Sequence, residues 1–571
     1  MVGGVAVAAE ARKSTRFGRR CAATLVTLLA TLAPLAQAFA PAEEERLRAR
    51  VEALVAEPRI ATTVVADPWL LAQLYAERQF QPAWTNETAL RELVDALGRA
   101  AERHGLNPAD FHLEVMREAL DAGLQRLCCA ELDMLATDAV ARLMFQLTSG
   151  KLDPESFHAS WNFRRAAAGE SPAQLVEALL IAEDLPAALE ALAPQTPAYR
   201  GLVDALAWHR RLAAAGGWPS VADGPTLRAG ERDPRVGELR RRLAASEDLT
   251  GADAELKGPD AEFFDGPLDA AVRRFQARHG LAVDGLVGPR TLAALNVPVA
   301  ARIDQLRVNL ERHRWLGDEP DGRYLLVNIA SYRVVLVEAG EVTWETRAVV
   351  GLPYRQTPVF RADMRYLVFN PTWTVPPVIL ARDLLPELRR DPAVLERRNM
   401  EVLDLEGRRV DPAEIDWAQA RPGRFPYLLR QRPGPDNALG RVKFMYPNPW
   451  HVYMHDTPHR DLFGHTERTF SSGCVRLEQP LELAERLLAA TAWDRAAIAA
   501  VLAEGRPRTV HLPEPVPVLT IYATAVTEAG RVLFLPDVYA RDARILASLD
   551  APPVAQSSVE REGPEGAVFG E

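Results

Sequence analysis

The sequence predicts three folded regions in series: an all-helical domain, a small helical module and a mainly-β domain that carries a helical insertion. The chain has 571 residues, of which 48% are hydrophobic, and this is enough to form several hydrophobic cores. Apolar residues recur at helical spacing up to about residue 298. From Arg323 onward, apolar and polar residues alternate instead, as they do in β-strands.

Residues 1–38 are predicted to be an export signal peptide. Basic residues precede an apolar run that ends in Ala36-Gln37-Ala38, which is a small-residue cleavage pattern. An uncleaved membrane anchor is the alternative, although Pro34 interrupts the run and about 16 apolar residues are few for a span. Cleavage would leave 62 basic and 76 acidic residues and change the formal net charge from −10 to −14. We therefore expect an exported protein of the periplasm or cell envelope, and its acidity disfavours nucleic-acid binding.

The chain has four cysteines, and signal cleavage would remove Cys21. The other three are an odd number for an oxidising compartment in which thiols usually pair, so one thiol is expected to stay free. Cys128 and Cys129 occur in a helical pattern and are interpreted as small buried residues, with a vicinal disulfide or a metal or redox role as alternatives. Cys474 is therefore the thiol that needs a chemical explanation.

Residues 39–227 are predicted to form the helical domain, because segments such as "ALRELVDALGRAAERHGLNPADF" have apolar residues at helical spacing. No cluster of acids, bases or ligands stands out there, which favours a scaffold without chemistry. Residues 228–298 are predicted to form short helices joined by tight turns, as in "DGPLDAAVRRFQARHGLAVDGLVGPRTLAALNVP". By periodicity alone this region is a small helical bundle, and residues 299–322 are predicted to be a linking helix.

Residues 323–545 are predicted to form the mainly-β domain. Its first strands alternate clearly and place Ala339-Gly340 at a hairpin turn. The stretch "VPVLTIYATAVTEAGRVLFLPDVYA" is expected to add a late pair of strands to the same domain. Residues 381–440 are too many for an ordinary loop between strands and are predicted to form a helical lid. Residues 546–571 are predicted to be a disordered tail.

The stretch "HDTPHRDLFGHTERTFSSGCVRLEQP", residues 455–480, contains three histidines and Cys474. Just before it, "WHVYMH" alternates as a strand with His451, Tyr453 and His455 on one face. Zinc is disfavoured because His451 and His455 would then lie about 13 Å apart, too far to share a metal whose ligand bonds are about 2 Å long.

A nucleophilic cysteine needs a stabilised thiolate, a base within hydrogen-bond reach and backbone donors for the oxyanion. Ser471, Ser472 and Gly473 are predicted to form a tight turn whose N–H groups, with that of Cys474, can converge on one point. An amphipathic helix is expected after Pro480. A buried structural cysteine is the alternative interpretation.

The segments "YMHDTP" and "TFSSGCVRL" resemble the signature of the L,D-transpeptidase catalytic domain, in which a histidine precedes Ser-His/Ser-Gly-Cys by a loop. The interval of 19 residues and the position at a strand end select His455 as the partner of Cys474. His459 and His465 lie in the polar loop and are expected to be solvated. Ser472 stands where the usual motif has a second histidine, so any role of that histidine is missing here.

The resemblance extends beyond this motif. Residues 228–298 resemble a peptidoglycan-binding domain, and "VDGLVGPRTLAAL" is the part that carries the similarity. The segments "NLERHRWL", "VGLPYRQTPVF" and "NPTWTVPP" fit the large branch of the L,D-transpeptidase family. That branch combines a helical scaffold domain, a peptidoglycan-binding domain and the cysteine catalytic domain in one exported chain.

The resemblance implies a cysteine acyltransferase that forms 3-3 cross-links between peptidoglycan stem peptides through a thioester on Cys474. It implies no cofactor, no metal and acylation of the cysteine by carbapenem-type β-lactams. Its partners would be a tetrapeptide donor, an amine acceptor and other cell-wall synthesis enzymes. Three alternatives stay open: a wall hydrolase, an enzyme that attaches or detaches a wall-linked lipoprotein, and a non-catalytic wall-binding scaffold.

The predicted catalytic residues are Cys474, His455, Gly473 as a backbone oxyanion donor, and Asp456. The Asp456 backbone carbonyl would orient the imidazole, unless this residue only caps the turn. The predicted substrate-binding residues are Tyr453, Ser471, Ser472, Arg476 and Trp373. The basic side chains of the predicted lid would suit the carboxylates of stem peptides, with a solvated surface as the alternative; they are Arg382, Arg389, Arg390, Arg397, Arg398, Arg408 and Arg409.

Overall fold

The computed structural model describes residues 41–60, 62–84, 86–122, 129–163, 171–317 and 320–553. The predicted signal peptide, Cys128 and the side chain of Cys129 lie outside what the structure describes. Within these ranges, no helix combines the length and the apolar character that crossing a membrane requires.

The predicted fold class is confirmed, and the N-terminal region is helical apart from a two-residue hairpin of β1 (Arg59–Ile60) and β2 (Thr63–Val64). Polar residues before proline start several helices; for example, Ser171 Oγ accepts a hydrogen bond from Gln174 N in a capping box. The helices of this region are Pro41–Ala56, Pro68–Glu77, Glu87–Arg103, Leu113–Asp121, Cys129–Ser149, Pro172–Leu180, Leu185–Leu192 and Pro197–Ala214.

The small helical module consists of helices Pro234–Ala245, Gly266–Arg278 and Pro289–Leu295. Its buried core contains Leu268, Val272 and Phe275, which share one helical face as the sequence predicts. The buried side chain of Gln276 fixes the turn that follows, because its oxygen accepts hydrogen bonds from the N–H groups of Asp284 and Gly285.

The helix Val299–Leu316 is more than the predicted linker, because it lies at the centre of the molecule. Arg314 and Glu311 form an ion pair with both side chains fully buried. Arg314 also donates to the His104 carbonyl and the Tyr199 hydroxyl of the helical region. On another face, Asn309 exchanges two hydrogen bonds with Thr524 of the β domain. The helix therefore joins the scaffold and the β domain through the buried hydrogen bonds of Arg314 and Asn309.

The β domain contains most of the strands of the chain. They are β3 (Arg323–Asn328), β4 (Arg333–Glu338), β5 (Glu341–Gly351), β6 (Phe360–Phe369), β7 (Trp373–Thr374), β8 (Met400–Leu403), β9 (Arg409–Val410), β10 (Leu428–Gln431), β11 (Val442–Met445), β12 (Met454–His455), β13 (Thr469–Ser471), β14 (Val475–Leu477) and β15 (Arg508–Ile521). Helices Pro480–Leu487 and Arg495–Glu504 follow β14, and the first of them lies where the sequence predicts an amphipathic helix.

Nine strands form the main sheet in the order β13, β5, β14, β12, β11, β6, β15, β3, β4. Because β4 also pairs with β5, eight of these strands close into a ring and β13 is attached beside β5. Most pairs are antiparallel, whereas three are parallel: β12 with β14, β13 with β5, and β15 with β3. The closed ring surrounds a core that includes Leu367, Phe369 and Phe444.

The C-terminal part differs from the prediction in two places. Of the predicted late strands, residues 516–521 are the end of β15 in the main sheet, whereas the hairpin of β16 (Ala525–Glu528) and β17 (Arg531–Phe534) forms a separate sheet. Its Ala525 and Phe534 are buried in the core of the helical region, so this packing determines its position. The predicted tail boundary at residue 546 falls within the helix Asp542–Asp550, whose Ile545 and Leu549 pack against Trp315.

The predicted lid is an insertion with its own sheet and core. Short helical segments lie between β7 and β8 in the chain: Pro377–Ile379, Leu380–Leu384, Leu385–Leu388 and Val394–Arg397. The four-stranded sheet of the insertion has the order β7, β10, β8, β9. This sheet encloses a buried cluster that includes Leu388, Val402 and Leu429. The predicted flexible edge "RQRPGPDNALG" is instead pinned by the side chains of Gln431 and the buried Asn437, which bond to nearby carbonyls.

Most of the arginines predicted to make the insertion basic have partners inside it. Arg389 and Arg390 donate to the carbonyls of Ala420 and Pro386, and the other paired arginines contact carboxylates. These ion pairs are Arg397 with Asp391, Arg398 with Glu387, Arg408 with Asp404, and Arg409 with Glu401. These arginines are therefore mostly occupied by partners within the insertion, and few of them are free to bind the carboxylates of a stem peptide.

Candidate active site

Strand pairing brings the candidate side chains together on one face of the main sheet. In the parallel pair β12 and β14, His455 lies opposite Arg476, and Val475 N donates to Tyr453 O. Since successive residues of a strand point to opposite faces, Tyr453 and His455 share a face with Cys474 and Arg476. Lys443 of β11 lies opposite His455 and joins this group. The alternate residues, such as Met454 and Val475, are fully buried in the core.

The predicted alternation does not extend back to His451. Only Met454–His455 is a strand, and the backbone of His451 has a positive φ of 54°. His451 is exposed, and its carbonyl oxygen lies 3.9 Å from Cys474 Sγ. His451 therefore contributes a backbone acceptor for the thiol and lies outside the strand that the sequence predicted it to share with Tyr453 and His455.

The His455 imidazole is buried and has a defined tautomer. Its Nδ1 lies 2.5 Å from the Asp456 carbonyl oxygen, which can only accept, so Nδ1 carries the proton and Nε2 is the acceptor. Burial lowers the pKa of His455 to about 3, and the charges of Arg476 and Lys443 act in the same direction. At neutral pH the ring is therefore uncharged and can accept a proton at Nε2.

Asp456 holds this arrangement through its carboxylate as well. One oxygen accepts hydrogen bonds from Thr457 N and pairs with Arg460, and the other accepts from Arg441 N. The carboxylate packs directly against Gly440, where a Cβ atom would lie 2.4 Å from the Asp456 side chain. Asp456 thus does both things considered from the sequence, because its carbonyl contacts the imidazole and its side chain caps the turn.

Cys474 is half-buried, and its thiol is protonated at neutral pH. Desolvation raises the pKa of Cys474, while hydrogen bonds from Tyr453 and the charges of Arg476 and Lys443 lower it without outweighing desolvation. In this resting state Sγ contacts the carbonyl oxygen of His451. Cys474 and His455 are diagonal neighbours across the β12–β14 pair, which leaves an uncharged thiol beside an uncharged base.

The turn before Cys474 is rigid and uses some of the groups expected to face substrate. The buried Ser471 Oγ donates to the Cys474 carbonyl and accepts from Gly473 N. The Gly473 N–H, predicted as an oxyanion donor, is thus already engaged. The N–H of Cys474 itself has no acceptor among the described backbone groups. Gly473 has a φ of 115°, which favours glycine.

A buried network behind the turn was not found from the sequence. Thr357, which is fully buried, donates to the Gly473 carbonyl at 2.9 Å and accepts from Gly351 N at 2.9 Å. Tyr539 donates to the Gly351 carbonyl and accepts from Thr357 N. The segment "VGLPYRQTPVF" therefore contacts the turn before Cys474 through Thr357, and the spacing of residues along the chain does not reveal this contact.

The remaining predicted residues divide into two groups. Tyr453 and Arg476 lie on the face of Cys474, and Arg476 Nε is buried without a hydrogen-bond partner in the described structure. Trp373 belongs to the small sheet of the insertion and packs against its core. His459 and His465 are exposed, as expected.

Three residues near the site were missed: Lys443, Thr357 and Arg355. Lys443 could have been noticed, because it interrupts the apolar alternation of "RVKFMYP".

Among the residues that the structure describes, no group of three or more histidine, cysteine or acidic side chains could hold a metal ion.

Three family models match successive parts of the chain. Residues 70–206 match the model described as "Scaffold domain", and residues 232–295 match "Putative peptidoglycan binding domain". Residues 322–510 match "L,D-transpeptidase catalytic domain". Cys474, His455 and the insertion all lie within the third match.

Curated relatives align with parts of the chain. The "Putative L,D-transpeptidase" of Haemophilus influenzae is 38% identical over 241 residues, which cover 42% of this chain and 48% of that protein. The "N-acetylmuramoyl-L-alanine amidase CwlM" of Mycobacterium tuberculosis is 45% identical over 85 residues, which cover 14% of this chain and 20% of that protein. The chain therefore spans less than half the length of either relative.

A solved L,D-transpeptidase structure from Xylanimonas cellulosilytica is 16% identical, and the match covers 52% of this chain and 99% of that one. Its TM-score is 0.18.

Proposed function

Because the chain combines an L,D-transpeptidase catalytic domain with a scaffold domain and a peptidoglycan-binding domain, we propose that it forms 3-3 cross-links between peptidoglycan stem peptides. The donor is a tetrapeptide stem, and the acceptor is the side-chain amine at the third residue of another stem. The enzyme is exported and acts in the periplasm or cell envelope, where its peptidoglycan-binding domain attaches it to the cell wall.

In the first half-reaction, Cys474 Sγ attacks the carbonyl carbon of the third donor residue. The thiol proton passes to Nε2 of His455, which the neutral ring can accept. The bond from the carbonyl carbon to the nitrogen of the terminal D-alanine then breaks, and His455 returns the proton to that leaving amine. The products are a thioester on Cys474 and free D-alanine.

In the second half-reaction, the acceptor amine attacks the thioester carbonyl and gives a proton to His455. The carbon–sulfur bond breaks, the thiolate takes up this proton, and a new amide bond links the two stems. The N–H of Cys474 is the donor best placed for the oxyanion of both tetrahedral intermediates, because that of Gly473 is already bonded to Ser471.

The observation that supports this proposal is the parallel pairing of β12 with β14, in which His455 lies opposite Arg476, two residues after Cys474. The His455 ring is buried, uncharged and of fixed tautomer. Within this mechanism, Cys474 Sγ turns from the His451 carbonyl towards the imidazole before it attacks. Apo hydrogen bonds at active sites commonly tighten only when substrate binds.

Mass spectrometry of muropeptides tests the proposal. Purified sacculi rich in tetrapeptide stems are incubated with the enzyme and, in parallel, with the Cys474→Ala variant. New 3-3 dimers and free D-alanine, both absent with the variant, are the expected result. Shortened monomers would identify water as the acceptor and a hydrolase, and unchanged muropeptides would leave a wall-binding scaffold as the function.

A further inference from the structure

An arginine outside the catalytic face reaches the nucleophile turn. Arg355 follows β5, its side chain is only 12% exposed, and its Nη1 lies 3.0 Å from Ser472 Oγ. The same guanidinium pairs with Asp383 of the insertion in a two-pronged contact, with distances of 2.7 Å and 2.9 Å. Arg355 therefore connects the turn of Cys474 to a carboxylate from the insertion.

The two members of the Arg355–Asp383 ion pair differ in how firmly they are held. The guanidinium is held close to the protein, and its Nε is buried without an acceptor. Asp383 is half-exposed and lies on the short helical segments at the start of the insertion. The carboxylate can thus leave with a movement of the insertion, whereas the guanidinium stays next to Ser472.

The geometry of the contact is that of a carboxylate receptor. A planar guanidinium binds a carboxylate through two parallel hydrogen bonds, and such pairs are stronger than neutral ones. The Ser472 hydroxyl, two residues before Cys474, holds one edge of the guanidinium. The Cα atoms of Ser472 and Cys474 are at most about 7 Å apart, so the guanidinium borders the turn that carries the thiol.

In the proposed donor, a free carboxylate lies next to the scissile bond, because the leaving residue is the terminal D-alanine. We propose that Arg355 and Ser472 form the subsite for this carboxylate and that Asp383 occupies it in the resting enzyme. The inference rests on the proposed function. It predicts that the enzyme prefers donors with a free C-terminal carboxylate and that this preference depends on the side chain of Arg355. Asp383 is then an internal competitor that substrate displaces.

The test compares two donors: a tetrapeptide stem with a free terminal carboxylate, and the same peptide with a terminal amide. Release of D-alanine or its amide is measured for the unsubstituted enzyme and for Arg355→Gln and Asp383→Asn. For the acid donor, Arg355→Gln should raise KM by about tenfold or more, since charge-assisted hydrogen bonds are lost. Asp383→Asn should lower KM for the same donor, because the competitor has lost its charge.

The amide donor should respond weakly to both substitutions. Arg397→Gln is the matched control, because Arg397 also pairs with an aspartate of the insertion, Asp391, in an exposed site; its kinetics should match those of the unsubstituted enzyme. A purely structural ion pair predicts that Arg355→Gln and Asp383→Asn impair both donors in the same direction, and this result would overturn the subsite. If the unsubstituted enzyme releases neither D-alanine nor its amide, this result contradicts the proposed function and the subsite with it.

Discussion

At the scale of single residues, residues 455–480 contain three histidines and Cys474. Of these histidines only His455 is buried, whereas His459 and His465 are exposed. We expect Cys474→Ala to abolish D-alanine release, and His455→Ala to lower it by about a hundredfold or more because general base catalysis is lost. His459→Ala and His465→Ala should retain most activity, since both side chains are exposed. Equal losses for all three histidine variants would exclude His455 as the specific base.

A second residue-scale prediction concerns pH. The pKa of His455 is lowered to about 3, so the ring remains a competent base at pH 5.5, where an ordinary histidine would be mostly protonated. Acylation of Cys474 by a carbapenem-type β-lactam, followed by intact-mass measurement, should therefore show no acid limb near pH 6.5. A fall in rate centred near that pH, with the enzyme still folded by circular dichroism, would mean that His455 titrates normally.

At the scale of elements, the nucleophile turn depends on Thr357. Thr357→Val keeps the shape of the side chain but leaves Gly351 N and the Gly473 carbonyl without their partner. We expect the free energy of unfolding to fall by about 1–3 kcal/mol and the acylation of Cys474 to slow. Thr357→Ser retains the hydroxyl and should restore the acylation rate. Equal acylation rates for the valine and serine variants would remove Thr357 as a positioning residue.

The insertion gives the second prediction at this scale. It has its own buried core, so replacing residues 377–436 by a short flexible linker should leave the main sheet folded. Turnover of the stem peptide should fall by about tenfold or more, because a lid positions substrate, while acylation by a small β-lactam should change little. Normal peptide turnover by the shortened, folded enzyme would show that the insertion is not a lid.

The elements also show how far sequence reasoning reaches. Cys474, His455 and the Ser471–Gly473 turn were found because their spacing along the chain carries a recognisable pattern. Arg355 and Thr357 were not, because they reach the turn only through strand pairing and a buried hydrogen bond between distant segments. The sequence predicts late strands in the β domain but not which sheet they join, because their alternating pattern fits any sheet; Ala525 and Phe534 of the late hairpin are buried in the core of the helical region.

At the scale of the whole molecule, buried histidines make the fold sensitive to acid. Burial lowers the pKa of His104 and His209 to about 4 and that of His158 to about 3, and it lowers that of His279 as well. Since their pKa values are near 6.5 when unfolded, the unfolded chain binds more protons below that pH. Their contribution to stability is complete above pH 6.5 and is lost as the pH falls towards 4.

Urea unfolding between pH 7.5 and pH 5.5 measures this effect. The free energy of unfolding should decrease by about 1 kcal/mol for each such histidine per pH unit below 6.5. His158→Gln should reduce the proton uptake on unfolding by about one, whereas the exposed His459→Gln should leave it unchanged. A free energy of unfolding that stays constant over this range would contradict the prediction.

The central helix Val299–Leu316 has a consequence for where the enzyme can work. Arg314 of this helix bonds to His104 and Tyr199 of the scaffold, and Asn309 bonds to Thr524 of the β domain. Arg278 of the small module also bonds to Val532 of the late hairpin. The small module and Cys474 are therefore held in a fixed arrangement. If the small module binds the wall as proposed, this arrangement predicts that Cys474 reaches only stem peptides at a set distance from the bound glycan.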